Sequence, residues 1–167
     1  KKEWTSVLKE GDTLLALHVP SGPGYNPIRL KNSMELAIVF YDKYFPELEV
    51  KGFWSESWLY DSRLSLVLDC DKSNIIKVQR QFYLYPIKEG DSMLRYEAFG
   101  DWNADPTKVP VKTSLQKAAL EYMKEGKRFN TLSMVVLRED VDKVGNNTYI
   151  TGEDIEEFKK YVDSHLK

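Results

Sequence analysis

The chain has 167 residues, 42% hydrophobic and 30% charged, with 24 Lys and Arg against 26 Asp and Glu, a net charge of −2. That is one globular domain with enough apolar material for a core, and without a block of basic residues nucleic acid is not the expected partner. No apolar run approaches the roughly twenty residues a spanning helix needs, so no membrane is expected, and the single Cys70 excludes an intramolecular disulfide.

Residues 13–19 read as a strand, with Leu15, Leu17 and Val19 on one face and Leu14, Ala16 and His18 on the other. Apolar residues on both faces suit a strand inside a covered sheet. The turn Ser21-Gly22-Pro23-Gly24-Tyr25-Asn26-Pro27 leads into a helix, with Asn26 as N-cap and Pro27 at the first helical position. Leu30, Met34, Ala37, Ile38, Tyr41 and Phe45 recur at helical spacing until Pro46 stops the helix. The first N–H groups of such a helix are unpaired, and its dipole adds partial positive charge there. Ser21, Gly22, Gly24, Tyr25 and Asn26 therefore form a candidate anion cradle, with Arg29 or Lys31 near enough in sequence to assist. The competing reading is that the glycines only permit a tight turn.

A second strand is predicted over 49–55, then a short helix and a turn over 58–68. Residues 78–85 alternate, which predicts a strand with Val78, Arg80, Phe82 and Leu84 on one face. A turn at Lys88-Glu89-Gly90-Asp91 leads to a partner strand over 92–99, closing a hairpin. Arg80 on that apolar face calls for an acidic partner or a bound anion. Residues 100–110 read as a loop. Thr113 and Gln116 have capping-box spacing ahead of a helix bearing Leu115, Ala118, Ala119, Tyr122 and Met123, and Gly126 ends it. Residues 132–137 have the pattern of a buried strand. Thr151 and Asp154 open a last helix with Ile155, Phe158, Val162 and Leu166 as its stripe. This order predicts an α/β fold whose mixed sheet is flanked by helices, parallel at strand–helix–strand crossovers and antiparallel at the hairpin. Cys70, His18 and His165 lie too far apart for a structural zinc site, so no metal is expected.

Three segments carry a family pattern: HVPSGPGYNP with the SMELAIVFYDKYFPEL helix, then SESWLYD, then SNIIKVQRQFYLYP. Together they resemble the GNAT-like C-terminal domain of bacterial two-part acyltransferase-domain proteins. The resemblance implies one GNAT-like domain over residues 1–167, the C-terminal part of a longer cytoplasmic protein, partnered by an N-terminal domain of the same polypeptide. It implies acyl-CoA or acetyl-CoA as co-substrate, with its pyrophosphate at the strand–turn–helix, and a small-molecule amine as acceptor. The superfamily turn is Gln/Arg-x-x-Gly-x-Gly/Ala. Gly22 and Gly24 stand at its small positions, Val19 replaces the Gln or Arg, and Pro20 and Pro23 bring no N–H donors. Acyl transfer to an amine calls for a base and an acid. Glu56, at the end of the second strand, is the candidate base, and Tyr60 the candidate acid. The alternative is that Trp54 and Trp58 are packing residues and Glu56 a surface or cap residue. At the level of the whole domain the alternative is a non-catalytic binding or interface module.

Overall fold

The computed structural model describes residues 5–19, 22, 24–146 and 149–165. Among them four strands, β1 (Leu14–Ala16), β2 (Gly52–Ser57), β3 (Tyr83–Lys88) and β4 (Thr131–Leu137), form one sheet in the order β1-β2-β4-β3. The helices are α1 (Pro27–Tyr44), α2 (Asn74–Gln79), α3 (Ser92–Phe99), α4 (Ser114–Lys124) and α5 (Gly152–His165). β1 and β2 are parallel because α1 carries the chain back between them, whereas β4 runs antiparallel to both β2 and β3. The fold is the α/β arrangement the sequence predicts, a mixed sheet flanked by helices.

Local chemistry sets most of the boundaries. Asn26 Oδ1 accepts the Arg29 N–H at 3.0 Å and Pro27 follows, so α1 begins where the cap and the fixed proline φ agree. At the other end Phe45 N–H returns to Tyr41 C=O, and Pro46 opens a short 3-10 turn. Thr113 Oγ1 accepts from Gln116 N–H while Gln116 Oε1 accepts from Thr113 N–H, the full reciprocal capping box at the start of α4. Thr151 and Asp154 bond in the same reciprocal way ahead of α5.

Two apolar clusters hold these pieces together. Met34, Phe53, Tyr60, Val78, Phe82, Met134 and Val136 fill the space between α1, α2 and one face of the sheet. Trp58, Leu64, Ile76, Leu94, Ala119, Phe129 and Ile155 join the end of β2 to α3, α4 and α5. Residues in register across antiparallel strands share a face. Trp54 and Glu56 of β2 therefore stand with Val135 and Ser133 of β4 on the face opposite the first cluster.

Two predicted elements differ from the sequence reading. Residues 74–79 form α2, capped by Ser73, and the strand starts only at Tyr83. Val78 and Phe82 are four residues apart and both fully buried, a spacing that satisfies helical period as well as alternation. Arg80 consequently sits at the end of α2, where its Nε–H donates to Ile150 C=O at 3.1 Å and not to a carboxylate. Residues 92–99 form α3 rather than a strand, so there is no hairpin and β3 pairs with β4. The helix is favoured by the Asp91–Arg95 ion pair at 2.8 Å, one turn apart, and by Gly100 at φ 80°, whose N–H closes on Tyr96 C=O.

α1 carries a second apolar stripe on its outer side: Leu36 is 71% exposed, Val39 65%, Phe40 50% and Tyr44 56%. A helix apolar on two sides is the kind usually covered on both.

Candidate functional site

β1 and β2 stay together for only three register pairs, Leu14 with Gly52 to Ala16 with Trp54. Leu17 N–H donates to Trp54 C=O at 2.8 Å, the last main-chain bond between the two strands among the described residues. β2 runs on through Ser55, Glu56 and Ser57, paired there with β4. Main-chain groups alternate in direction along a strand. Ser55 C=O points toward β4, where Ser133 Oγ donates to it at 3.0 Å. The Glu56 N–H and C=O therefore face the β1 side, beyond the point where β1 has left. The sheet opens here, and one lip of the opening is a stretch of strand edge.

The turn into α1 follows β1 at this same end of the sheet. Gly22 has φ 117°, a left-handed conformation that side chains other than glycine rarely adopt. Asn26 Nδ2 donates to Gly24 C=O at 3.3 Å, closing the turn. A Cβ at Gly24 would lie 3.1 Å from Arg29 Nη1, so the guanidinium rests directly against the glycine. The turn thus combines a bare backbone approach, a helix N-terminus and a cation. Asn26 already occupies the Arg29 N–H, and Pro27 has none to offer. Ser21, Pro20 and Pro23 lie outside the described residues.

Tyr25 reaches inward from this turn, and its hydroxyl donates to the Tyr60 hydroxyl at 3.1 Å. That contact ties the turn to the segment after β2, 35 residues further along the chain. Burial raises both phenol pKa values; at Tyr60 bonds from Ser55 and Tyr25 oppose the rise, and the charge of Glu97 adds to it. Tyr60 is 1% exposed and stays protonated at neutral pH. Glu56 is exposed and projects to the other face of the sheet. Its main chain lines the opening; its side chain does not meet Tyr60.

A second exposed carboxylate, which the sequence reading did not name, meets the end of β2. Glu97, on α3, accepts from Ser57 Oγ at 3.4 Å at the very end of β2. Burial raises its pKa, while Ser57 and Trp58 pull it down. The Trp58 indole N–H is buried and has no hydrogen-bond partner of ordinary geometry among the described residues, although it is near enough to Glu97 to be felt there. The signal was present but depended on period: in a helix Glu97 follows the buried Leu94 by three residues and shares its face.

Two surface depressions lie away from this opening. One of about 670 Å³, lined by Asp42, Lys51 and Arg138, sits before the start of β2; the other, of about 1130 Å³, lies beside α4 and α5 with Arg63, Arg128 and Lys159 in its wall. Both are lined by mixed charge, and the converging tyrosines, glycines and strand edge are elsewhere.

The sequence profile of the GNAT-like C-terminal domain matches residues 2–135. The chain belongs to this family. Among solved structures, this GNAT-like domain is similar to an acyltransferase in complex with decanoyl-CoA and teicoplanin, with 28% identity and a TM-score of 0.69 over 79% of this chain and 43% of that one. It is also similar to an acyltransferase with CoA and 10C-teicoplanin, at 28% identity and a TM-score of 0.69, over 77% and 42% of the two chains. A mutant acyltransferase in complex with octanoyl-CoA gives 28% identity and a TM-score of 0.69, over 79% and 43%. The chain spans less than half the length of these proteins. No curated protein matches it.

Proposed function

We propose that this GNAT-like domain binds acyl-CoA in the opening between β1 and β2 and supports transfer of the acyl group to the amine of a small-molecule acceptor. The observation that carries the reading is the early end of the β1–β2 pairing, which leaves the Glu56 main chain facing the side that β1 has left, at the end of the sheet from which the chain turns into α1. A pantetheine arm has amides that pair with a free strand edge as an added strand does. The pyrophosphate then falls at the start of α1, beside Arg29, with the donors of Gly22, Gly24 and Tyr25 around it. That three similar structures hold CoA or an acyl-CoA supports the same ligand class here. Such a ligand goes with a cytoplasmic protein.

In this reading the acceptor nitrogen attacks the thioester carbonyl, the C–N bond forms, and the C–S bond breaks with its electron pair on sulfur. Tyr60, held protonated by burial, supplies the proton for the leaving thiolate; Glu56 is the base named from sequence. Calorimetry with decanoyl-CoA tests the binding directly. Micromolar affinity is expected, weakened about tenfold (about 1.4 kcal/mol) in Arg29→Ala. No heat and no melting shift at millimolar CoA would overturn the proposal.

Two observations favour a second reading, a domain completed by an N-terminal domain of the same polypeptide. The exposed stripe of Leu36, Val39, Phe40 and Tyr44 is the surface such a neighbour would cover, and more than half of each similar chain lies outside the match. If that holds, the 167-residue chain binds decanoyl-CoA without turnover, and Phe40→Asp in the longer polypeptide loosens the interface without altering CoA affinity. Full turnover by the short chain alone rules the second reading out.

A further inference from the structure

Resting on the acyl-CoA reading, we infer that Tyr25 is a positioning residue for the coenzyme. Its hydroxyl, held by the Tyr60 hydroxyl, fixes the turn of Gly22 and Gly24 against the segment after β2 and presets the cradle for the diphosphate. The composition of the turn is the starting point. Gly22 is at φ 117° and Gly24 carries no side chain, so this stretch has unusual backbone freedom to lose. Asn26 stiffens it only locally. Its Nδ2–H donates to Gly24 C=O at 3.3 Å, its Oδ1 accepts Arg29 N–H at 3.0 Å, and its C=O accepts Leu30 N–H at 3.1 Å. All three bonds lie within four residues and move with the turn. The Tyr25 bond does not, because it reaches an element 35 residues further along.

Both ends of that bond are held. The Tyr60 side chain is 1% exposed and belongs to the cluster of Phe53 on β2, Val78 on α2, and Met134 and Val136 on β4. The Tyr25 ring packs against the same cluster from the turn. Burial pushes the Tyr25 pKa well above the ordinary tyrosine range and raises that of Tyr60 too, so both remain phenols at neutral pH. Ser55 also bonds Tyr60, whereas Tyr60 is the hydrogen-bond partner of the Tyr25 hydroxyl among the described residues. A phenol withdrawn from water without a partner is costly, so a turn that swings away from the sheet strands the Tyr25 hydroxyl.

The effect on a ligand follows from the covalent position of Tyr25, directly between Gly24 and the N-cap Asn26. Pinning its side chain pins the glycine on one side and the helix start on the other. The Arg29 guanidinium, which rests against Gly24, is then in place before a diphosphate arrives. Ordering a glycine turn at the moment of binding costs affinity, and an anchor formed beforehand removes that cost. The pantetheine arm meets the β2 edge and not the turn, so only the diphosphate end of the coenzyme feels the anchor.

The test uses the intact polypeptide and calorimetry with two probes: decanoyl-CoA, and S-decanoyl-pantetheine, which keeps the thioester and both amides and lacks the diphosphate. Tyr25→Phe removes the bond and keeps the ring. It is expected to weaken decanoyl-CoA about fivefold while leaving S-decanoyl-pantetheine unchanged. Tyr60→Phe removes the same bond from the buried end, should give the same pattern, and carries the test by itself if Tyr25→Phe does not fold. The double variant should bind decanoyl-CoA no more weakly than either single one, where independent effects would multiply to about 25-fold. Three results overturn the inference: unchanged decanoyl-CoA affinity in the single variants, equal losses for both probes, or a double variant that shows the product of the single losses. If the wild type fails to bind decanoyl-CoA, it is the acyl-CoA reading that has failed, and the role of Tyr25 falls with it.

Discussion

Replacing Asp61 by alanine is expected to lower the unfolding free energy by about 3–5 kcal/mol, the cost of stripping one partner from a buried charged network. The side chain is 4% exposed and fully engaged. Its Oδ1 accepts Arg63 N–H at 2.9 Å; its Oδ2 accepts Arg63 Nη1–H at 3.1 Å and Asn130 N–H at 2.6 Å. The Asp61 carbonyl also accepts from Gln79 Nε2–H at 3.1 Å. One residue thus joins the segment after β2 to α2 and to the approach to β4. Alanine leaves the Asn130 N–H without its acceptor and takes the carboxylate from the Arg63 guanidinium, which keeps only the Arg128 carbonyl at 3.4 Å, and an unmet buried donor costs more than an average hydrogen bond contributes. Asparagine keeps the shape and one acceptor oxygen, so its loss should be about half as large. Urea denaturation with an unchanged slope reads both values. A loss under about 1 kcal/mol for alanine would show that the network is replaceable. Since Tyr60 is the preceding residue, decanoyl-CoA affinity should weaken in parallel.

Gly52→Ala should be comparably damaging, at about 3 kcal/mol or more. A methyl group there would lie 2.3 Å from the Val136 carbonyl oxygen and 3.2 Å from Leu137 Cα. Both are main-chain atoms of β4, and β2 is held on its other edge by β1, so neither strand can retreat alone. The glycine is required by close backbone approach and not by its φ. Serine at this position should behave like alanine. A melting temperature within about 2 °C of wild type would sink the argument, since a loss of that size shifts a domain of this length by several degrees.

The contrast between these sites and the helix caps explains what was legible beforehand. Asn26 to Arg29, Thr113 to Gln116 and Thr151 to Asp154 are bonds spanning three residues. Chemistry of that range can be read from the chain directly, and each places a helix start. The buried run of β4 was equally plain, because a strand covered on both faces is a continuous apolar stretch. The segments 78–85 and 92–99 were not, because Val78 and Phe82 fit two periods at once and the Arg95–Asp91 pair outweighs a short alternation. Glu97 was lost with α3: on a strand it faces solvent, on a helix it follows Leu94.

By itself the sequence determined the helix caps, the α/β class, the family and the glycine turn at Gly22 and Gly24, all of which rest on bonds and spacings within a few residues. The tertiary structure alone decided that β1 leaves β2 after three pairs, that Tyr25 meets Tyr60, and that the Glu97 carboxylate meets Ser57 at the end of β2. Those are contacts across 35 to 40 residues of chain, set by how the sheet packs on its helices, and no local pattern encodes them.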